Sequence, residues 1–369
     1  MATKRRFFRP TWAEVDLGGL QNNLRRFKAR MPRACKVLFV VKGNAYGHGA
    51  AACARAAERS RAADWLGVSS VEEGIALREA GVRLPVLVLG SLYPFESILA
   101  AVEFGLVPTV ASLDSAQRLA AAAKRRGRRV SCHFKIETGM GRIGMSPAAA
   151  VGAAEYLASQ KLVHVEGAYT HFSCADTDRS FTAEQLRRFR AALARLDRAG
   201  TGVRIRHAAN SAAALGFAAS RLDMVRPGLA IYGLYRGFQP VLSLKTKVVF
   251  LKTVPRGAAL GYGATFRARR PMRVATVPAG YADGISRRLS NRGEVLLAGR
   301  RCPIVGTVAM DMLMFDASAV PQARVGDDVV LIGRQGRECI TAVEMAKTTG
   351  TIPYEVTSAL GSRVPRVYT

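Results

Sequence analysis

A single lysine, Lys42, follows an apolar run from Cys35 to Val41 and opens a glycine-punctuated loop, VVKGNAYGHG (residues 40–49). Apolar residues on both faces of this run predict a strand buried on both sides, as in a parallel sheet, with Lys42 at its carboxyl end. A lysine whose stem packs among apolar groups loses part of its preference for the charged form and can act as an amine nucleophile or a base. The alternative is an ordinary solvated lysine at a strand end.

Polar side chains also follow the ends of four later apolar runs. They are Lys135, Arg142, His171, Asn210, Ser211 and Arg226, the last of which is followed by Pro227-Gly228. Each one alone has an ordinary explanation, such as a solvated lysine, a hydrogen-bonded histidine or a turn. Because the carboxyl ends of barrel strands meet at one face, the set together predicts one site at that face.

Short apolar runs alternate with amphipathic, alanine-rich segments over the first two thirds of the chain. The predicted strands are Val37–Val41, Trp65–Val68, Val86–Leu89, Val107–Val110, Ser131–Ile136, Val163–Tyr169, Ile205–Ala208 and Asp223–Val225. The predicted helices include Leu20–Met31, Val71–Ala80, Leu113–Arg126, Ala148–Ser159 and Thr182–Ala199. Eight such units predict an α/β fold with a (β/α)8 TIM-type barrel. A doubly wound sheet would need fewer strands and a G-x-G-x-x-G turn, which the first loop lacks.

The pattern changes after Tyr235, where short strands are separated by Gly, Pro and Asn. The predicted strands there are Val248–Val254, Arg273–Pro278, Val295–Leu297, Pro303–Val308, Leu313–Asp316 and Asp328–Ile332, with one helix at Ala342–Thr349. This spacing predicts a mostly antiparallel C-terminal β domain. We therefore assign residues 12–238, which begin with a short strand at Trp12–Leu17, to the barrel and residues 239–369 to the β domain. Residues 1–11 form an N-terminal segment that could pack on the β domain.

The composition is basic, with 55 Lys and Arg residues against 27 Asp and Glu residues and a net charge of +28. The basic runs Lys4–Arg9, Lys124–Arg129 and Arg267–Arg273 are dispersed and lack interleaved aromatic residues, which favours a solvated surface over a specific nucleic-acid site. The six cysteines show neither C-x-x-C pairs nor metal-ligand spacing, so we expect reduced thiols and no metal. The absence of a signal segment and of a long apolar span predicts a cytoplasmic protein without membrane insertion.

The segment VVKGNAYGHG resembles the pyridoxal 5′-phosphate attachment segment of alanine racemases, and the likeness to this family extends from Trp12 to Tyr368. The resemblance implies that Lys42 forms a Schiff base with pyridoxal 5′-phosphate and that the chain is an isomerase that interconverts L-alanine and D-alanine. It also implies a homodimer that supplies D-alanine for peptidoglycan and thus for the cell wall.

The residues that follow the barrel strands acquire roles from this resemblance. Arg142 would donate to the phenolic oxygen of the cofactor and contact the substrate, His171 would lie against the ring, and Arg226 would bond the pyridine nitrogen. The remaining cofactor-binding residues would be Tyr46, Asn210, Ser211, Gly228, Leu229 and Tyr354. In this family the equivalent of Lys135 is often carbamylated and steadies the arginine.

The β domain would supply the second base and the substrate entrance. The segment LGYGAT (residues 260–265) matches the family segment that carries a catalytic tyrosine, here Tyr262, which reaches the barrel of the other subunit. GYADG (280–284) and VAMD (308–311) match the segments that line the substrate site, with Tyr281, Met310 and Asp311 as the candidate residues. The resemblance therefore implies active sites shared across the homodimer interface.

Three residues depart from the usual pattern of the family. Gly43 stands where Ala is common, Glu137 where Asp is common, and Ala309 where Ser or Cys is common. None of these changes removes a functional group from the expected chemistry.

Inversion at Cα requires one base on each side of the cofactor plane. Lys42 would act on D-alanine, and Tyr262 of the partner subunit would act on L-alanine. A tyrosine is a poor base at neutral pH unless nearby groups stabilise its phenolate, and His171 and Arg226 would do so. Because Arg226 does not release its proton, it would leave the pyridine nitrogen unprotonated and suppress transamination.

One alternative function remains open on the sequence, and two others conflict with it. A racemase of broader or different specificity, for serine, lysine or arginine, would use the same scaffold. A decarboxylase would need an acid at the pyridine nitrogen and a Gly-rich phosphate loop, in conflict with Arg226. A barrel that only carries the cofactor would lack the β domain.

Overall fold

A computed structural model describes residues 8–369, so that most of the basic run Lys4–Arg9 lies outside the described residues. The chain divides into two compact units. The barrel unit comprises Leu20–Ala45 and Ala50–Ile231, and the β unit comprises the chain up to Gly19, Tyr46–Gly49 and Tyr232–Thr369.

The barrel unit contains an eight-stranded parallel sheet. In sheet order, its strands are Val86–Val88, Trp65–Val68, Lys36–Val40, Met224–Val225, Ile205–His207, Val163–Tyr169, Val130–Lys135 and Thr109–Val110. The two ends of the sheet meet, because the Val88 N–H donates to the Val107 carbonyl at 2.9 Å and the Val107 N–H donates to the Val86 carbonyl at 2.8 Å. The TIM-type barrel predicted from the sequence is confirmed.

Helices alternate with the strands of the barrel unit, and the helix Leu17–Lys28 precedes the first of these strands. The helices are Leu17–Lys28, Ala50–Ser60, Val71–Glu79, Phe95–Glu103, Leu113–Arg126, Pro147–Ala158, Arg179–Arg198 and Ser211–Gly216, with a 3-10 turn at Ala218–Ser220. Several begin one to three residues before the predicted start, because the cap lies ahead of the first core-facing apolar residue. Asp178, for example, accepts a hydrogen bond from the Phe181 N–H, and the helix therefore starts at Arg179 rather than at Thr182.

The β unit is mostly antiparallel, as predicted. Its seven-stranded sheet consists of Arg300–Pro303, Glu294–Leu297, Asp328–Gln335, Leu242–Lys247, Thr11–Val15 and Arg366–Tyr368 in order, with Glu338–Ile340 paired to Asp328–Gln335. A second sheet contains Phe250–Val254, Met272–Val277 and Leu313–Asp316, and a third contains Ala259–Leu260 and Phe266–Arg267. Its helices are Ala342–Thr349 and Pro353–Ser358, with 3-10 turns at Tyr262–Ala264, Tyr281–Asp283 and Arg287–Leu289.

Among the predicted strands, one is wrong and one belongs to a different sheet. The strand predicted at Pro303–Val308 is wrong, because the strand is Arg300–Pro303 and the residues after it form a loop. Ile304, Val305 and Val308 are buried in that loop, so their apolar character reports burial rather than strand structure. The short strand at the start of the chain, Thr11–Val15, pairs with Leu242–Lys247 in the seven-stranded sheet and not with a barrel strand.

Two buried histidines occupy the interior of the barrel. His133 Nδ1 lies 2.8 Å from His207 Nε2, and His207 Nδ1 lies 2.9 Å from Arg226 Nη1. Because a guanidinium only donates, His207 Nδ1 accepts, His207 Nε2–H donates to His133 Nδ1, and the proton of His133 lies on Nε2. Burial, reinforced by the charge of Arg226, lowers the pKa of His133 to about 3 and that of His207 well below its ordinary value. Both rings are therefore neutral at physiological pH.

Gly167, on the strand beside His133, leaves room for the imidazole. A Cβ at this position would lie 2.5 Å from Cε1 and 2.6 Å from Nδ1 of His133. We expect Gly167→Ala to displace the ring and to lower the free energy of unfolding by about 1–3 kcal/mol. Gly152→Ala is the control, because a Cβ there meets nothing within 4 Å and the helix gains up to about 1 kcal/mol. Urea unfolding checks the pair, and equal midpoints for the two variants would contradict the steric argument.

The buried histidines also predict how stability depends on pH. Their pKa values in the folded chain lie below the ordinary value of about 6.5, so between about pH 6.5 and pH 3 the unfolded chain binds more protons. Stability is fully present above about pH 6.5 and falls as the pH decreases, by up to about 1.4 kcal/mol per unit for each ring. We expect the urea midpoint to decrease from pH 7 to pH 5, and to decrease less in His133→Gln. His164→Gln, at an exposed site, should retain the wild-type slope.

Candidate active site

Lys42 lies after the strand Lys36–Val40 and opens a left-handed turn. Gly43, Asn44 and Ala45 have φ values of 60°, 52° and 55°, and Tyr46 continues the series at 52°. A non-glycine residue in this region costs about 1–2 kcal/mol. The sequence predicted a loop here but not a run of strained residues, which needs contacts that hold it.

Three hydrogen bonds hold this turn within the barrel unit. The Gly43 N–H donates to Glu73 Oε1 at 2.6 Å, and the Ala50 N–H donates to Asn44 Oδ1 at 2.8 Å. The Ala45 N–H donates to the Val41 carbonyl at 2.8 Å. The backbone that carries Lys42 is thereby fixed on both sides of the lysine.

The Lys42 ammonium is half-buried beside other cations. Burial lowers the pKa of Lys42, the charge of Arg142 lowers it further, and Glu73 opposes both effects. The amine therefore loses its proton more readily than a lysine in water, as a nucleophile or base requires.

The segment from Lys135 to Arg142 is organised by a carboxylate. Glu137 accepts hydrogen bonds from the N–H groups of Met140 at 2.7 Å and Gly141 at 3.0 Å, and also from that of Gly139. Lys135 is buried, with its ammonium 5.5 Å from the centre of the Tyr169 ring. Burial, followed by the charges of Arg142 and Arg226, lowers the pKa of Lys135 to about 8.

Arg226 is buried at the end of the last barrel strand. Its Nη2 donates to the carbonyls of Thr170 at 2.6 Å and Ala208 at 2.9 Å, and lies 3.3 Å from Nδ1 of His171. Burial lowers the pKa of Arg226 to about 10, which leaves it charged at neutral pH. Burial and the charge of Arg226 lower the pKa of His171 to about 3, so the ring is neutral and its Nε2 carries the proton.

Ser211 joins the last two strand-end loops of the barrel. Its Oγ accepts hydrogen bonds from the N–H groups of Gly228 at 3.1 Å and Ala230 at 3.3 Å. Asn210 Oδ1 accepts from the Ala213 N–H at 3.0 Å and caps the helix that Ser211 begins. Leu229 is half-buried between the two N–H donors.

The candidate residues of the β unit form two groups. The Tyr46 ring lies 6.4 Å from the Tyr354 ring, edge to face, and 5.1 Å from the Tyr232 ring. Tyr262 is 72% exposed on the short turn after Gly261, and its carbonyl accepts a hydrogen bond from Thr307 Oγ1 at 3.0 Å.

Tyr281 and Met310 are exposed on two segments that are bonded to each other. The Tyr281 N–H donates to the Ala309 carbonyl and the Ala282 N–H donates to the Met310 carbonyl, each at 3.0 Å. Gly280 permits this approach, because a Cβ there would lie 2.3 Å from the Ala309 oxygen.

An arginine pair that the sequence did not single out supports the same region of the β unit. The buried carboxylate of Asp283 accepts from Arg9 Nη1 at 2.6 Å, and Arg363 Nη2 donates to Asp311 Oδ1 at 2.6 Å. Arg363 is also ion-paired with Asp283 at 3.6 Å. The two arginines thereby tie the turn that follows Gly280 to the segment that carries Asp311.

The structure brings Lys42, Lys135, Arg142, His171 and Arg226 into one electrostatically coupled group in the barrel unit. Within residues 8–369, no cluster of three His, Cys, Asp or Glu side chains could hold a metal ion. Over the same described range, no helix is long and apolar enough to cross a membrane.

Comparisons with known proteins identify the family of the chain. The profile of the alanine racemase N-terminal domain matches residues 15–236, and that of the C-terminal domain matches residues 241–368. The alanine racemase of Symbiobacterium thermophilum is 45% identical over 369 residues, which cover 98% of this chain and 97% of that protein.

Two solved structures are similar over nearly the whole chain. An alanine racemase of Clostridium difficile 630 has a TM-score of 0.93 at 35% identity, with 99% of this chain and 97% of that chain covered. A crystal structure of alanine racemase from Bacillus anthracis with bound L-Ala-P has a TM-score of 0.92 at 37% identity, with 99% and 96% covered. The chain therefore belongs to the alanine racemase family.

Proposed function

We propose that this enzyme uses pyridoxal 5′-phosphate to interconvert L-alanine and D-alanine, with Lys42 and Tyr262 as the two bases. The observation that carries the proposal is the group of cations around a neutral His171 at the carboxyl ends of the barrel strands. Catalytic groups of TIM-type barrels collect at that face.

The residues of the barrel unit fit this cofactor chemically. Lys42, whose pKa is lowered by burial, offers an amine for the aldehyde. Arg226 offers a buried guanidinium for the ring nitrogen, and Arg142 offers a cation for the phenolic oxygen. Ser211, together with Asn210 and the backbone of Gly228 and Leu229, would line a phosphate.

When bound, the group makes the Cα proton of an amino acid removable, because it delocalises the charge that remains. Lys42 Nζ then takes the proton of D-alanine and returns one to its side of Cα. The phenolic oxygen of Tyr262 does the same on the opposite side for L-alanine. Arg226 keeps its proton, and the neutral His171 beside it donates from Nε2.

A homodimer follows from the position of Tyr262, which we place in the site of a second copy. The side chain is exposed in the single chain and borders a groove of about 430 Å³ lined by Thr276, Met312 and Met314. Met310 and Met312 are themselves about half exposed, at 51% and 49%. An apolar patch of this kind is typical of a surface that another chain covers.

Tyr281, Met310 and Asp311 would line the route of the substrate to the site. Lys135 would become a carbamate, because an amine with a pKa of about 8 is partly neutral at physiological pH and can react with carbon dioxide. The carbamate would give Arg142 an anionic partner. The product D-alanine would serve peptidoglycan synthesis, and the six free cysteines support a reducing compartment such as the cytoplasm.

The function is tested by a chiral assay of the purified protein with added pyridoxal 5′-phosphate. We expect rapid formation of D-alanine from L-alanine and slow reaction with L-serine, L-lysine and L-arginine. Borohydride should fix the cofactor on Lys42, and Lys42→Ala should lose both the fixation and the racemisation. Faster turnover of a larger amino acid would show that alanine is not the main substrate. The absence of both turnover and fixation of the cofactor would overturn the proposal.

The assignment of the bases predicts an asymmetric effect of Tyr262→Phe. Loss of the phenolic oxygen should slow exchange of the Cα proton of L-alanine with deuterium by at least about 10²-fold. Exchange into D-alanine, which depends on Lys42, should continue. Tyr93→Phe, at an exposed site of the barrel unit, should leave both exchanges unchanged. Equal slowing of the two exchanges in Tyr262→Phe would exclude Tyr262 as the base for the L-isomer.

A further inference from the structure

Glu73 connects the lysine turn to the neighbouring barrel strand. It lies in the first turn of the helix Val71–Glu79. Its Oε1 accepts the Gly43 N–H at 2.6 Å, and its Oε2 accepts the Ser69 N–H at 2.6 Å. Gly43 directly follows Lys42, and Ser69 directly follows the strand Trp65–Val68. Both oxygens of one carboxylate are therefore used to join two adjacent strand ends.

The pattern Ser70-x-x-Glu73 resembles a capping box but is used differently. The Glu73 N–H donates to Ser70 Oγ at 3.4 Å, which is the first half of such a box. In a complete box the glutamate would accept from the N–H of the capping serine itself. Here the carboxylate accepts instead from Ser69 and from Gly43, which is 30 residues earlier in the chain. The helix fixes the main chain of Glu73 while its side chain holds the Lys42 turn.

The turn needs such a contact. Asn44, Ala45 and Tyr46 follow Gly43 with positive φ values, and no other consecutive non-glycine residues within 8–369 share this conformation. A hydrogen bond to an ionised carboxylate is about twice as strong as one between neutral groups. The bond from Gly43 therefore offsets part of the strain at the point where the backbone leaves Lys42.

Glu73 also supplies negative charge to a cationic site. The charged and titratable groups that act on Lys42 are Arg142, Lys135, His171 and Glu73. Arg142 lowers the pKa of Lys42, as burial does, and Glu73 raises it. His171 is neutral and the other two groups are cations. Among these groups, Glu73 is therefore the one that carries negative charge.

We propose that Glu73 is a positioning residue that fixes the backbone of Lys42. Its negative charge also offsets the electrostatic repulsion between the lysine ammonium and the neighbouring cations. The proposal rests on the function proposed above, in which Lys42 is the reacting lysine. Glu73 itself touches backbone N–H groups and acts through Lys42.

Three variants separate charge from position. Glu73→Gln keeps the shape, removes the charge and turns one acceptor into a donor that faces an N–H group. Glu73→Asp keeps the charge on a side chain too short to reach both N–H groups. Glu72→Gln is the matched control, because Glu72 lies in the same helical turn, is exposed and bonds within its own turn.

The first measurement is the rate at which a small amine-reactive reagent labels Lys42 in the full-length protein without cofactor. The rate is measured at a series of pH values by peptide mass spectrometry. In Glu73→Gln the pH midpoint of labelling should shift to lower pH by about half a unit. Below the midpoint, the neutral fraction of the Lys42 amine should then be roughly threefold larger than in the wild type. Glu73→Asp should shift less, and Glu72→Gln should match the wild type. Equal midpoints in Glu73→Gln and wild type, or equal shifts in the Glu73 and Glu72 variants, would overturn the role of the charge.

The second measurement is hydrogen exchange of the peptide containing residues 40–50 in the holoenzyme. Loss of the Gly43 bond should speed exchange there about tenfold or more in both Glu73 variants and not in Glu72→Gln. The kcat of Glu73→Gln should fall about tenfold with little change in KM for alanine, because a mispositioned base affects proton transfer rather than binding. Unchanged exchange in Glu73→Asp, which conserves charge and fold, would overturn the positioning role.

These outcomes are distinct from failure of the proposed function. If the wild-type protein does not racemise alanine but the Glu73 variants show both effects, the proposed function is refuted and the positioning role of Glu73 is supported. If the protein racemises alanine but the Glu73 variants change neither the labelling midpoint of Lys42 nor the hydrogen exchange of residues 40–50, only the positioning role is refuted.

Discussion

The guanidinium of Arg226, charged and buried inside the barrel, is the constraint to which the surrounding groups conform. An ion removed from water is stable only if its hydrogen-bonding capacity is met. Within residues 8–369, it donates to the carbonyls of Thr170 and Ala208 and to two imidazole nitrogens, all of them neutral. Because the arginine can only donate, it fixes the tautomer of His171 and, through His207, that of His133. Arg226 thus fixes the tautomers of three histidines, which burial, reinforced by its charge, keeps neutral.

The carboxylates Glu73 and Glu137 accept hydrogen bonds from backbone N–H groups next to the cations of the site. Glu73 and Glu137 each direct their oxygens to N–H groups next to a cation, at Gly43 after Lys42 and at Met140 and Gly141 before Arg142. The backbone is held while the cations keep their capacity for a ligand. Burial, followed by the charge of Arg142, lowers the pKa of Lys42 and of Lys135, and the positive potential of the site favours anionic ligands. In each segment, backbone N–H groups therefore stabilise the loop, while the cationic side chain remains available for a ligand.

The sequence was sufficient for the barrel, the β unit and the set of strand-end residues, because strand and helix periodicity and strand-end position are local properties. It was insufficient where structure depends on contacts distant in the chain. The left-handed turn after Lys42 needs Glu73, and the strand Thr11–Val15 is defined by its partners Leu242–Lys247 and Arg366–Tyr368. The strand Leu242–Lys247 alternates buried and half-buried residues but contains only two large apolar side chains, Leu242 and Leu244, so its apolar signal is weak. Ile304–Val308 was misassigned because buried loops carry the same apolar signal as strands.

Tyr262 differs from every other proposed catalytic group in how it is held. Within the barrel unit, hydrogen bonds hold the backbone beside Lys42 and Arg142 and orient the ring of His171. Tyr262, in contrast, lies on a short turn between Gly261 and Gly263, both with positive φ, and its ring is exposed. Its carbonyl bond to Thr307 restrains the backbone but not the phenol. A general base must be held within hydrogen-bonding distance of the proton that it removes. On the proposed mechanism, the surface of a second chain must therefore immobilise this ring, so that association of two chains completes the second half of the proton transfer.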